Sequence, residues 1–215
     1  MEEKLTAILL HATDQGDYDK RVCLFSVEKG KVFATMRGVR KAKAKLKFAS
    51  QPFALCEYEI AQKSGRNVVT GANVLEDLYA LSAQPEHYFA GALALEITEK
   101  AIDSLSHNEL FVMLLKTLKA ILYDNTPSAM IIAKFVQKIL SMSGFIKIAK
   151  VPCAQPKTPS ALLDCIAYKR LDELSEVEAT NDTTIKALKL VCSRFCSVYE
   201  TQLSSLTLFE KIVLK

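Results

Sequence analysis

Long apolar runs are missing from this chain. None approaches the roughly 18 residues that a membrane-spanning helix requires, although half of the 215 residues are hydrophobic. That apolar content instead predicts a buried core, in one large domain or in a small domain joined to a larger one. Glycine and proline are also scarce, at seven and six, which argues against collagen-like or disordered architectures. The glycines stand singly, so no glycine-rich loop can cradle a phosphate, and nucleotide-driven work by this chain is not expected. Imidazoles number only three, His11, His87 and His107. None sits beside a serine or cysteine in a recognisable nucleophile setting, so no catalytic residue is assigned and no enzymatic activity is expected. His107, just after a helix cap, is expected to be exposed. Six cysteines are too few for a disulfide scaffold and are expected to be thiols. The opening Met1-Glu2-Glu3-Lys4 is acidic where a secretory leader would be basic. A cytoplasmic, nucleoid-associated location is expected.

What is present divides the chain in two. Ala7 to Leu10, Val22 to Phe25, Lys31 to Arg37, Phe53 to Ile60 and Val68 to Val74 are runs of strand length. Turn signals separate them: Asp14 to Asp17, Glu28 to Lys31, the Gln51-Pro52 step and Ser64-Gly65. Five such strands predict a small barrel of the OB type, a fold that also binds nucleic acid. From about Asp77 the period becomes helical. Pro85 opens a stretch through Ala101 with Tyr88, Ala92, Leu95 and Glu99 at helical steps. Ser106 to Glu109 has capping-box spacing, followed by the stripe Leu110, Leu114, Leu118 and Ile121. Pro127 opens a helix carrying Ile131, Phe135, Ile139 and Leu140, with Gly144 as its stop. Residues 151–159 read as a loop. Helices are expected over roughly 183–198 and from Ser204 onward. The fold class is therefore α+β, with a five-stranded OB barrel over 1–76 followed by an all-helical domain over 77–215.

Net charge is only +4, but it is unevenly placed. Arg37-Gly38-Val39-Arg40-Lys41-Ala42-Lys43-Ala44-Lys45-Leu46-Lys47 holds six cations and no acid, whereas residues 81–215 hold 15 cations against 14 acids. Clustered cations displace counterions from a phosphate backbone and give affinity without sequence readout. A solvated charge run is the plainer reading of such a segment. In the strand before it, alternation puts Val32, Ala34 and Met36 on one face and Lys31, Phe33, Thr35 and Arg37 on the other. Phe33 could stack on an unpaired base while Lys31 and Arg37 meet phosphates, or it could pack under the neighbouring helical domain. Asp14, Asp17 and Asp19 form an acidic cluster, ordinary for a turn and lacking the further ligands of a calcium loop.

The order Gly16-Asp17-Tyr18-Asp19-Lys20-Arg21, Glu28-Lys29-Gly30-Lys31-Val32, Arg37-Gly38-Val39-Arg40-Lys41 and Gln51-Pro52-Phe53 resembles the amino-terminal barrel of the RecO family of recombination mediators. The resemblance covers about residues 5–80, and beyond them Phe135 to Phe145 resembles the family's helix leading into its zinc-module region. It implies an OB-fold joined to a helical domain that binds single- and double-stranded DNA. It further implies annealing of strands coated by single-strand-binding protein, and partnership with RecR in loading RecA. The helical domain is implied to dock the carboxy-terminal tail of single-strand-binding protein. On this resemblance, DNA binding is assigned to Lys20, Arg21, Lys31, Arg37, Arg40 and Lys41; on charge alone it extends to Lys43, Lys45 and Lys47, with Phe33 as the stacking candidate. The chain departs from zinc-holding members in having no Cys-x-x-Cys pair. Cys192 and Cys196, with Cys153 and Cys165, could in principle complete a tetrahedral set, but four-residue spacing is also what helix packing produces. No metal or other cofactor is expected. Cys23 and Cys56 are read as packing residues. Two competing readings are a protein-interaction adaptor with an OB-like barrel that does not bind DNA, and a metal-dependent nuclease built on the aspartates.

Overall fold

A computed structural model of the chain describes residues 2–147 and 155–213. All five expected strands are present: β1 (Glu2–Gln15), β2 (Asp19–Ser26), β3 (Gly30–Met36), β4 (Leu55–Lys63) and β5 (Arg66–Glu76). They close a barrel in the order β1-β2-β3-β5-β4. Strand β1 is long enough to serve both sides of the closure. Its second half pairs with β2 from Ala7 to Gln15, and its first half pairs with β4 from Glu2 to Ile8, both antiparallel. A register shift between Leu9 and His11 marks the bend in its course. The remaining seam is a parallel contact of β3 with β5, at Thr35 and Val68.

The alternation read from β3 holds. Val32, Ala34 and Met36 join Leu5, Ala7, Leu9, Val22, Leu24, Tyr58, Ile60 and Val69 in the barrel core. Tyr58 lies wholly inside and satisfies its hydroxyl by donating to the Ala49 carbonyl at 2.9 Å. Cys23 and Cys56 are buried thiols, as their strand positions implied. Strand β4 starts two residues later than expected, because Phe53 is buried with a positive φ of 63°.

The chain forms two compact units: Met1–Ser82 with Ser106–Phe111, and Ala83–Leu105 with Val112–Lys215. In the first, β2 is covered on both faces. Val22 and Leu24 face the core, while Phe25 meets the edges of His107 and Phe111 at centroid distances of 6.3 and 5.4 Å. His107 is therefore half-buried rather than exposed. Its helix cap puts it at the chain surface locally, but non-local packing against Phe25 and Gly30 covers it.

The helices are α1 (Pro85–Ala101), α2 (His107–Tyr123), α3 (Ser128–Met142), α4 (Pro159–Tyr168), α5 (Asn181–Val198) and α6 (Ser204–Val213); all belong to the second unit except the start of α2 as far as Phe111, which belongs to the first. The stripes named on α2 and α3 are buried. Of the positions named on α1, Leu95 is buried, together with Ala90, Leu93, Ala94, Ile97 and Ala101, whereas Tyr88, Ala92 and Glu99 are only half-buried. Helix α1 packs against both α3 and α6, so it buries small Ala90, Ala94 and Ala101 as well as large Leu93, Leu95 and Ile97 over more than one stripe. Gly144 ends α3 with the Phe145 amide donating back to Leu140 at 2.8 Å. Helix α4 was not expected. Thr158 caps it by accepting from the Ala161 amide, and Pro159 stands at its first position. Part of the loop read over 151–159 lies outside the described residues. Two polar side chains tie helix ends together. Glu96 on α1 accepts from the Ser204 and Ser205 amides that open α6, at 2.9 and 2.8 Å. Lys134 on α3 donates to the Ala167 carbonyl in the last turn of α4 at 2.6 Å, and burial pulls its ammonium down to about 8.

Gly30 opens β3 with φ of 69°, and a Cβ there would lie 2.4 Å from the His107 ring. Gly16 has a similar φ of 61° but open space around it. Both Gly→Ala variants incur the left-handed cost of ~1 to 2 kcal/mol, and only Gly30→Ala adds a clash. Urea unfolding should show Gly30→Ala as the more destabilised, and adding His107→Ala should narrow the gap between them.

Candidate nucleic-acid interface

The basic segment between β3 and β4 is not a loose run of charge. Successive turns close it, with Lys41 donating to Gly38, Ala44 to Lys41 and Lys47 to Ala44 through backbone bonds of 3.1, 3.1 and 3.4 Å. Val39 is 2% exposed and belongs to the barrel core, and Leu46 packs against that core from its edge. Burying one valine side chain contributes ~2 kcal/mol, so these two residues staple the segment to the barrel while its cations stay outside. Arg37, Lys41, Lys43, Lys45 and Lys47 are exposed.

Arg40 has a different place. Its guanidinium donates to the Gly16 carbonyl at 2.8 Å and pairs with Asp14 at 3.1 Å, while its amide donates to the Tyr18 carbonyl at 3.0 Å. Asp19 accepts from the Gly38 amide at 2.7 Å. The basic segment is thus latched to the turn between β1 and β2. Both partners of the exposed Arg40–Asp14 pair are well solvated, so it contributes under ~1 kcal/mol. The backbone bonds and Val39 define the geometry. Two of the three aspartates grouped in the sequence thereby face partners within the chain.

On the outer face of β3, Phe33 is 45% exposed. The Arg21 guanidinium lies over its ring, 5.2 Å from the centroid. Lys31 is half-buried on the same strand, and Lys20 is half-buried on β2 opposite Met36. The Asn67 amide donates to the Phe33 carbonyl at 3.1 Å, which places exposed Arg66 alongside β3. Sequence reading missed Arg66 because the parallel β3 to β5 seam is a non-local contact. It also missed Tyr18, which is 56% exposed with Lys41 Nζ 5.1 Å from its ring centroid. The available signal was an aromatic residue two positions before Lys20-Arg21.

The cysteines considered for zinc are dispersed in character. Helix α5 buries Cys192 completely and leaves Cys196 half-buried. Burial drives the Cys192 thiol far up, away from the thiolate that a metal needs. Cys165 is disulfide-bonded, against the expectation of six thiols, and Cys153 lies outside the described residues.

A five-stranded barrel carrying this basic segment meets a specific match among known proteins. The family model for the recombination protein O amino-terminal domain matches residues 1–77. Over these residues the barrel is similar to the amino-terminal domain of the RecO family. The DNA repair protein RecO of Anaeromyxobacter sp. (strain K) is 31% identical over 121 residues, covering 55% of this chain and 48% of that protein. RecO of Bacillus cereus (strain AH187) is 34% identical over 122 residues, with the same two coverages. The chain spans about half the length of the curated relatives it matches. The architecture of OB-like barrel followed by helices agrees with the α+β class read from the sequence. No described helix is long and apolar enough to cross a membrane.

The Asp19 latch can be examined directly. Asp19→Ala removes a charged acceptor, whose hydrogen bond is worth ~1.5 to 3 kcal/mol. Amide exchange at Gly38 should accelerate roughly tenfold or more while the β2 and β4 core amides keep their protection. Unchanged exchange at Gly38 would show that Val39 and the Arg40 bonds hold the segment without Asp19.

Proposed function

We propose that this chain is a DNA-binding recombination mediator that works without catalytic turnover. It binds single- and double-stranded DNA through the barrel and anneals complementary strands. With RecR it assists loading of RecA on strands coated by single-strand-binding protein. The observation that carries this reading is the stapled basic segment, six exposed cations with no acid among its residues, beside an exposed ring capped by Arg21. A held array of cations loses little conformational freedom when it meets phosphates. In this reading Arg37, Lys41, Lys43, Lys45 and Lys47 contact the backbone, Lys20, Arg21 and Lys31 flank Phe33, and Arg40 acts by keeping the segment in place. The barrel, residues 1–76, is the DNA-binding domain, and residues 77–215 are the docking domain for the acidic tail of single-strand-binding protein. The partner assignments rest on kinship with RecO.

Replacing Lys41, Lys43, Lys45 and Lys47 with alanine should weaken DNA binding similarly for every sequence. Each lost phosphate contact should lower the log-log salt slope by ~0.7 on single strands and ~0.9 on duplex. Absence of DNA binding by the unaltered chain at low salt would leave the adaptor reading, and cleavage of DNA in magnesium would leave the nuclease reading. An acidic peptide with a free carboxy terminus should still bind the four-lysine variant if the helical domain holds it. Loss of that binding would move the peptide site to the barrel.

A further inference from the structure

Tyr18 has a feature that its sequence position does not explain. It sits in the turn between β1 and β2, 56% exposed, yet its backbone is held by the Arg40 amide and its ring lies under the Lys41 ammonium. Phe33 repeats the arrangement, half-exposed with the Arg21 guanidinium 5.2 Å from its centroid. Each ring thus has an attached cation and an exposed surface, the pairing of stacking platform and phosphate partner that single-strand sites use.

The two units lie along one edge of the barrel. Phe33 is four residues before Arg37 on β3 and its exit, and Arg37 to Arg40 are level with Asp19 and Tyr18 through the Asp19 to Gly38 and Tyr18 to Arg40 bonds. Four strand positions span ~13 Å. Stacked neighbouring bases are only about 3.4 Å apart, so the two rings cannot serve adjacent stacked bases. Exposed Arg37 follows Phe33 by four residues and immediately precedes Gly38, whose amide Asp19 holds. Of the acids nearby, Asp14 and Asp19 are engaged by Arg40 and by the Gly38 amide, which lowers the repulsion a phosphate would meet.

We infer that Tyr18 is a second base-stacking residue, and that Tyr18 and Phe33 together make this edge of the barrel select unpaired strands by holding two non-adjacent nucleotides. The inference rests on the DNA-binding reading above and adds the discrimination between single strands and duplex. An intact duplex presents no free base face at either ring, so the rings act on single strands alone, whereas the lysines act on both.

The test uses the full chain with fluorescein-labelled oligothymidylate and a hairpin duplex of equal length, at two salt concentrations. Tyr18→Ala should weaken oligothymidylate binding ~5- to 100-fold, leave duplex binding within about twofold, and keep the salt slope. Tyr18→Phe should bind as the unaltered chain does, since the ring and not the hydroxyl is used. Lys41→Ala should lower the slope on both DNA forms. If Tyr18→Ala weakens both forms equally and lowers the slope, Tyr18 only positions Lys41 and the inference is overturned; no effect of Tyr18→Ala also overturns it. Photocrosslinking of a 5-iododeoxyuridine oligonucleotide to the unaltered chain requires no variant to fold, and should yield adducts on peptides containing Tyr18 and Phe33. Crosslinks confined to the lysine segment would refute stacking. Failure of the unaltered chain to bind either DNA removes the DNA-binding reading itself, an outcome distinct from a ring without effect.

Discussion

The candidate surface depends on how the turn between β1 and β2 is latched to the segment that follows β3. Asp19 accepts from the Gly38 amide, the Tyr18 carbonyl accepts from the Arg40 amide, and the Arg40 guanidinium spans Gly16 and Asp14. With Val39 seated in the core beneath, this set converts six clustered cations, which would repel one another into an extended chain, into a held array. The ion pair contributes little by itself because it is solvated. The bonds to backbone and the buried valine carry the geometry, and the charges are free to act outward.

The same latch divides labour among residues that look alike in sequence. Arg40 and Lys41 are neighbours in a basic run, yet one faces the barrel's own turn and the other lies over the Tyr18 ring. Asp14 and Asp19, which suggested an acidic cluster, serve as acceptors for this segment. Phe33 gains its cation from Arg21 on the adjacent strand through the β2 to β3 register, in which Cys23 stands opposite Phe33 and Arg21 opposite Thr35. The surface is therefore assembled from pairs that are local in space and separated in the chain. The RecO kinship of residues 1–77 concerns this barrel.

Much of the architecture was legible because it obeys short periods. Strand alternation picked out the core face of β3, turn residues separated all five strands, and the 3.6-residue period identified α2 and α3 with their buried stripes. The failures have separate causes. Helix α1 buries Ala90, Ala94 and Ile97 because it has neighbours on two sides, and a single amphipathic stripe is expected only of a helix with one. Helix α4 is short, and its Thr158-Pro159 opening was passed over where the chain reads as loop. His107 is covered by Phe25 and Gly30, residues about 80 positions away.

What the sequence by itself determined is the set of local elements, the unequal distribution of charge and the four-part resemblance in the barrel, because each is carried by residues within a few positions of one another. Only the tertiary structure decided which acids meet which cations, that Phe33 lies beneath Arg21 and Tyr18 beneath Lys41, and that β1 closes against β4 while β3 meets β5 in parallel. Those facts arise from contacts across the barrel, and no pattern of neighbouring residues encodes a contact whose partner lies tens of residues away.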